Sequence, residues 1–239
     1  EELSKSHELP KLILKYREYE KLRSTYIDGL KTVIVNNRVH TSYNLFGTTT
    51  GRLSSEKPNL QNIPNKTKMG QKIREFFVAD SKHTFVIADY SQIELRVLAH
   101  LSDDKNMINM LKNRDADIHS ETAAKIFNTN IDSVTKDMRR KAKEVNFGLI
   151  YGMESFGLSK SLDISKKEAD ELIKAYFGQF PKIKGFLEKI VVDATKNTYT
   201  ETLYGRKRFI RELSSSNFQV KAMGKRIAMN APIQGPASD

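Results

Sequence analysis

Near the start of the chain the apolar positions, from Leu12-Ile13-Leu14 through Leu22 to Tyr26, recur every three or four residues among Lys, Arg and Glu. That spacing predicts an amphipathic helix ending near Gly29. Residues 32–46 break into short polar and β-branched runs, which predict one or two strands. From Gly47 to Pro64 the chain is rich in Thr, Ser, Gly, Asn and Pro and predicts a long loop, a length usually kept for function or disorder. Phe85-Val86-Ile87-Ala88 reads as a buried strand, and helical spacing follows at once from Ile93 to Leu101. From about Asp103 to Lys196 the pattern is almost wholly helical. Asp115-Ala116-Asp117 caps a helix carrying Ile118, Thr122, Ala123 and Ile126, and Thr135 caps one running to about Tyr151. Ser165 with Glu168 forms a capping box, and Pro181 opens a further helix at its first turn. Residues 199–212 predict a basic hairpin around Tyr204-Gly205, and a last helix covers about 217–230. Strands flanking a helical insertion predict an α+β protein, not a doubly wound one.

Composition narrows the classes. The 239 residues suffice for one large domain or two small ones, and 38% hydrophobic with 29% charged is the balance of a globular protein. No apolar run approaches the roughly 18 residues of a membrane span, so no membrane partner is expected. Glu1-Glu2-Leu3 shows no leader and reads as an entry point into a longer protein. Cysteine is absent, which excludes disulfides, thiolate zinc sites and cysteine nucleophiles. Lys and Arg number 40 against 29 Asp and Glu, for a net charge of +11. Such an excess suits a polyanionic partner through counterion release, and a solvated basic surface equally well.

Candidate chemistry sits in two segments. In FVIADYSQIELRVLAHL an apolar strand delivers Asp89 at its C-terminal end, where a carboxylate can reach solvent and bind Mg²⁺ with substrate phosphates. A turn or helix cap is the plainer use of such an Asp. Glu94, in the first turn of the next helix, also suits the helix dipole. In RRKAKEVNFGLIYG, Arg139, Lys143, Phe147 and Tyr151 recur every four residues and share one stripe of a helix. Two cations followed by two aromatics fit a nucleoside triphosphate, although a core-facing helix with snorkelling basic residues gives the same pattern. Gly148 and Gly152 each weaken a helix by about 1 kcal/mol, which favours a close approach to the backbone there.

The stretch DYSQIELR resembles motif A of the family A, polymerase I-like, DNA polymerases, and the basic-aromatic stripe resembles their motif B. The resemblance implies a right-hand polymerase fold, with a palm β-sheet and a mostly helical fingers insertion. Residues 1–30 would form a helix at the thumb–palm junction, and 31–102 palm with a DNA-gripping loop and motif A. Residues 103–212 would form the fingers with motif B, and 213–239 a return helix to the palm. It implies template-directed DNA synthesis from dNTPs on primer–template DNA with two Mg²⁺ ions in the complete enzyme, acting as a monomer. Asp89 and the backbone of Tyr90 would hold metal. Ser91, Gln92, Glu94, His119, Arg139, Lys143, Phe147 and Tyr151 would meet the nucleotide, with Glu94 closing against C2′ of the sugar and Lys143 a candidate acid for pyrophosphate. His119, in DADIHSETA, owes its place to the resemblance, since a lone His is more often structural.

TTTGRLSSEKPNLQNIP and RIAMNAPIQG resemble the segments by which the family holds the duplex. They bring in Arg52, Ser54, Asn59, Asn62, Arg226, Asn230 and Gln234 as DNA contacts. A donor in the minor groove meets acceptors common to all base pairs, so it checks pair shape without reading sequence. In LYGRKRFIR, Arg211-Glu212 stand where relatives carry Pro-Asp, and no individual roles are assigned there. Motif C, which carries the second metal-binding Asp, would lie beyond Asp239, so this chain alone is expected to be inactive. A single-subunit RNA polymerase and a non-catalytic nucleic-acid-binding module are the rival readings. The richness in Lys, Asn and Ile suggests an AT-rich source: a plastid-type organelle such as the apicoplast, or a bacterial cytoplasm.

Overall fold

The structure, a computed structural model, describes residues 2–65, 67–113 and 117–239. The chain divides into two compact units, Glu1–Asp89 and Tyr90–Asp239.

In the first unit, α1 (Glu8–Lys21) buries none of its residues. It runs on through a π-helical stretch, Leu22–Asp28, into α2 (Gly29–Lys31), so the helix passes its expected end at Gly29. Leu22, Tyr26 and Leu30, four residues apart, turn inward and meet Ile73 of α3 (Lys68–Arg74) in a small core. Thr67 caps α3 by accepting from the Gly70 N–H at 3.1 Å. β1 (Ile34–Val35) and β2 (Arg38–Val39) form an antiparallel hairpin. Its two-residue turn is Asn36-Asn37, both at positive φ (50° and 58°), the geometry that matches strand twist and that Asn tolerates.

β3 (Ser42–Asn44) pairs antiparallel with β4 (Ser54–Glu56), which lies inside the segment expected to be loop. The centre of that pairing is polar, which is why no hydrophobic alternation announced it. Ser55 is buried, and its hydroxyl lies 2.7 Å from the Thr41 hydroxyl and accepts from the Leu60 N–H at 3.0 Å. One expectation fails outright. Residues 85–88 form no strand, and Phe85, Val86 and Ile87 are 60%, 88% and 81% exposed. A strand needs hydrogen-bonding neighbours, and no described segment pairs with this one.

The second unit is built of helices. α4 (Ile93–Ser102), α5 (Lys105–Lys112), α6 (Ile118–Ile126), α7 (Lys136–Ile150), α8 (Ser155–Leu162), α9 (Lys166–Gln179) and α10 (Pro181–Asn197) follow in order. Leu98, Met107, Ala123, Val145, Tyr176, Ile183 and Ile233 are among the residues of its continuous core. Asp104 ties two helix starts together. Its buried carboxylate accepts from the Met107 N–H of α5 and, with the other oxygen, from the Lys182 N–H of α10, each at 3.0 Å.

Asp117 and Thr135 cap α6 and α7 as expected; Asp115 and Ala116 lie outside the described residues. The Ser165 box forms only by half. Its hydroxyl accepts from the Glu168 N–H, but the Glu168 carboxylate accepts from Lys141 at 2.9 Å instead.

The expected hairpin forms from β5 (Tyr199–Glu201) and β6 (Lys207–Phe209). The last helix, α11 (Phe218–Ser238), does not stop near residue 230 but runs through Pro232 and Pro236. Each Pro removes a backbone hydrogen bond, at a cost of about 3 kcal/mol in a helix interior. Burial of Ala228, Ala231, Pro232 and Ile233 opposes that cost. The fold is α+β, with three two-stranded antiparallel sheets among the described residues. No described helix is long and apolar enough to cross a membrane.

Candidate functional site

The site in the second unit begins with α7. The Thr135 hydroxyl accepts from the Met138 N–H at 3.2 Å, a cap worth about 1 kcal/mol, and starts the helix one turn before Arg139. Along the predicted stripe the environment closes in step by step. Arg139 and Lys143 are exposed, Phe147 and Tyr151 half-buried. The cations near the start of α7 are not equivalent. Arg140 pairs with Asp137, and Lys141 with Glu168. Arg139 donates through Nε to one oxygen of Asp117 at 2.5 Å and through Nη2 to the other at 3.2 Å. Lys143 forms no ion pair among the described residues. The guanidinium's hydrogen bonds hold the Asp117 carboxyl down to about pH 2 in its titration, and Asp117 in turn raises Arg139.

Behind Arg139 lies a buried polar chain. His119, from the first turn of α6, is 3% exposed, and Asn146 and Thr122 are fully buried. The Asn146 amide nitrogen lies 3.2 Å from His119 Nδ1 and 3.1 Å from the Thr122 hydroxyl, joining α7 to α6 through polar groups. Burial lowers the His119 pKa, and the charge of Arg139 lowers it further, with a smaller push from Lys143; Asp117 opposes them. The imidazole therefore stays neutral, its ring centroid 5.6 Å from that of Phe147. The family resemblance implies a nucleotide contact for His119; the residue sits almost wholly inside the helical unit, beside the Phe147 ring.

At the far end of the stripe the Tyr151 hydroxyl donates to Glu94 Oε2 at 2.5 Å. Glu94 is 8% exposed in the first turn of α4, so its carboxylate does more than complement the helix dipole. Gln92 precedes α4 in the left-handed region, φ 56°, and Arg96 holds this entry by donating to the carbonyls of Ser91 (3.0 Å) and Leu111 (2.8 Å). The unit thus brings Glu94, His119, Arg139, Lys143, Phe147 and Tyr151 into one series along α7, with Ser91 and Gln92 at the α4 entry.

The glycines after Phe147 have protein neighbours. A Cβ on Gly148 would lie 3.0 Å from the Met153 sulfur. Gly152, at φ +67°, faces α11, where a Cβ would collide with the end of Met229 and lie 3.0 Å from Arg226 Cγ. Arg226 is exposed, and Asn230 and Gln234 are half-buried. The Asn230 Oδ1 is buried and accepts no hydrogen bond among the described residues.

Asp89 ends the first unit, exposed, and Tyr90 begins the second, 80% exposed. A carboxylate and a backbone carbonyl are the oxygen donors Mg²⁺ takes, so these residues fit a share of a metal site. Among the described residues no group of three or more His, Asp or Glu gathers to make a whole one. In the segment 47–64 Arg52, Asn59 and Asn62 are exposed and Ser54 is half-buried. The loop is held from within, with Gln61 donating to the Leu53 carbonyl at 3.0 Å and the Tyr26 hydroxyl to the Asn62 carbonyl.

Sequence reasoning missed two groups that support the site. Asp117, which pairs with Arg139, read only as a cap, and Asn146, which joins His119 and Thr122, went unremarked, because pairing between neighbouring helices leaves no periodic trace.

Comparison with known proteins gives this architecture its class. The structure superposes with a TM-score of 0.85, at 42% identity, on the POL domain of Pol1 from M. smegmatis, solved in complex with DNA primer-template and dNTP; the match covers 94% of this chain and 40% of that one. The fold is that of a right-hand polymerase domain. The family model described as DNA polymerase family A matches residues 1–239, and the chain belongs to that family. It is 48% identical over 241 residues to DNA polymerase I of Caldicellulosiruptor bescii and 46% identical to the thermostable DNA polymerase I of Thermus aquaticus. Both matches cover all of this chain but only 28% and 29% of those relatives' length.

Proposed function

We propose that this chain supplies the nucleotide-handling surface, and part of the primer–template surface, of a DNA polymerase as long as its relatives. The reaction is attack of a primer 3′-OH on the α-phosphorus of a dNTP, with pyrophosphate leaving. The observation that carries this reading is the graded series along α7. A cation held in a fork (Arg139), a cation with no ion pair among the described residues (Lys143), an aromatic ring (Phe147) and a tyrosine bonded to a buried Glu (Tyr151) follow in the order of phosphates, sugar and base. Protein chemistry in phosphoryl transfer is mostly positioning and electrostatic stabilisation, which such a series provides.

In this reading Lys143 and Arg139 meet the triphosphate, and Lys143 supplies a proton toward pyrophosphate. Phe147 packs on the sugar, Tyr151 guards the templating position, and His119 steadies the phosphate end as a neutral group. Ser91 and Gln92 bracket the triphosphate with backbone and side chain. Glu94, fixed by Tyr151, stands against a ribose 2′-OH, which together with family membership favours deoxynucleotides over the RNA polymerase alternative. Asp89 and the Tyr90 carbonyl would hold Mg²⁺, which would supply Lewis-acid stabilisation of the phosphate charge in the transfer. Arg52, Ser54, Asn59, Asn62, Arg226, Asn230 and Gln234 face the duplex. Residues 31–102 act as palm, 103–212 as fingers and 213–239 as the return to the palm, with 1–30 at the thumb junction.

The chain by itself does not extend a primer, and the enzyme works as a monomer. The relatives named above are bacterial and support a DNA-containing compartment of bacterial type; they lend no support to an apicoplast. Primer extension by a full-length polymerase carrying this sequence tests the reading. Activity should require a divalent cation and dNTPs, and Lys143→Ala should raise the dNTP KM or cut kcat at least tenfold. A Lys143→Ala enzyme with wild-type kinetics defeats the proposal.

A further inference from the structure

Arg139 and Lys143 sit one turn apart on the same stripe, yet their commitments differ. Lys143 has no ion pair among the described residues, whereas two donors of the Arg139 fork are already taken by Asp117. Asp117 is anchored at the same time. It caps α6 by accepting from the His119 N–H at 3.2 Å and takes the Ser120 hydroxyl at 2.7 Å. A carboxylate fixed in this way presents two oxygens in one plane to Nε and Nη2. A phosphate presents the same pair of acceptors to the same edge of a guanidinium.

We propose that Asp117 is a positioning residue that sets nucleotide affinity, standing in for phosphate in the Arg139 fork until a triphosphate displaces it. The inference rests on the reading that Arg139 meets the triphosphate, and it adds a competitor to it. Binding then exchanges one ion pair for another, so Arg139 contributes less to ground-state affinity than its charge implies. In the free protein the fork is kept in the orientation the phosphate needs. A purely structural Asp117 predicts the reverse, since loosening Arg139 could only weaken binding.

Asp117→Asn separates the two. Asn caps helices as well as Asp does, so α6 keeps its start while the competing charge is gone; Asp117→Ser is the second neutral cap should the first misfold. In the full-length polymerase with primer–template, dNTP titration should give a Kd about two- to fivefold lower in the neutral variants. That range is what a half-exposed pair is worth. The tightening should vanish in an Arg139→Ala background, because nothing remains to compete for. Unchanged or weakened dNTP binding in the neutral variants, with Arg139→Ala impaired, overturns the inference and leaves the function standing. Unchanged binding in Arg139→Ala itself overturns both.

Discussion

The two units of this chain bury their apolar residues to different extents. Residues 90–239 close nearly every helix onto one core, with Tyr176, Phe180, Ile183 and Ile233 wholly covered. Residues 1–89 cover four apolar side chains, Leu22, Tyr26, Leu30 and Ile73, and leave Leu12, Tyr16, Phe85, Val86 and Ile87 largely bare. The contrast bears on function. Groups assigned to gripping a nucleotide stand on a packed frame that fixes their directions. The carboxylate assigned to metal ends an exposed segment that joins no sheet among the described residues.

That division of labour can be broken at several points. The largest effect belongs to Asp89→Ala in the full-length enzyme. Primer extension should fall by on the order of 10²- to 10³-fold, the scale at which loss of one group that stabilises transition-state charge is felt, while dNTP affinity in a stopped complex changes little. Comparable losses in both would mean the two units are not separable in role. Next, Glu94→Ala should weaken discrimination against ribonucleotides by about 10- to 100-fold, the scale at which a pocket rejects one added group. Paired kcat/KM values for rNTP and dNTP measure it.

Third, Asp104→Ala should destabilise the helical unit by about 2–3 kcal/mol, since two helix starts lose one shared acceptor. Urea unfolding of this chain followed by helix signal checks it, and a loss confined to the first unit would contradict the packing described. The smallest effect concerns pH. Burial holds the His119 pKa below 6.5, so folded and unfolded states are both neutral above that value and the stability is whole there. As pH falls through 6.5 the unfolded chain takes the proton first, and stability should decline until the folded imidazole also titrates. His119→Gln should flatten that slope.

What was legible in the sequence follows from the range of the forces involved. Helix starts at Thr135 and Pro181 and the stripe from Arg139 to Tyr151 are local patterns, and each stands where its residues put it. β4 hid because Ser55 pairs through hydroxyls, not through apolar contact. The end of α11 was misplaced because local rules weigh Pro232 without the burial around it. The run at 85–88 was misread for a related reason, since an apolar string states a preference for burial and cannot supply the neighbour that provides it. Of the site, the stripe on one helix was visible from spacing, and Glu94 and His119 came through the family resemblance. Asp117 as the partner of Arg139 and Asn146 as the partner of His119 were not visible, because contacts between helices are set by tertiary packing.

Gly152 links two parts of the helical unit mechanically. With no side chain of its own, it lets the turn below Tyr151 rest against Met229 and Arg226. A tilt at the C-terminal end of α7 must therefore press on α11, the helix that carries Arg226, Asn230 and Gln234. A methyl group at this single position would wedge the pair apart.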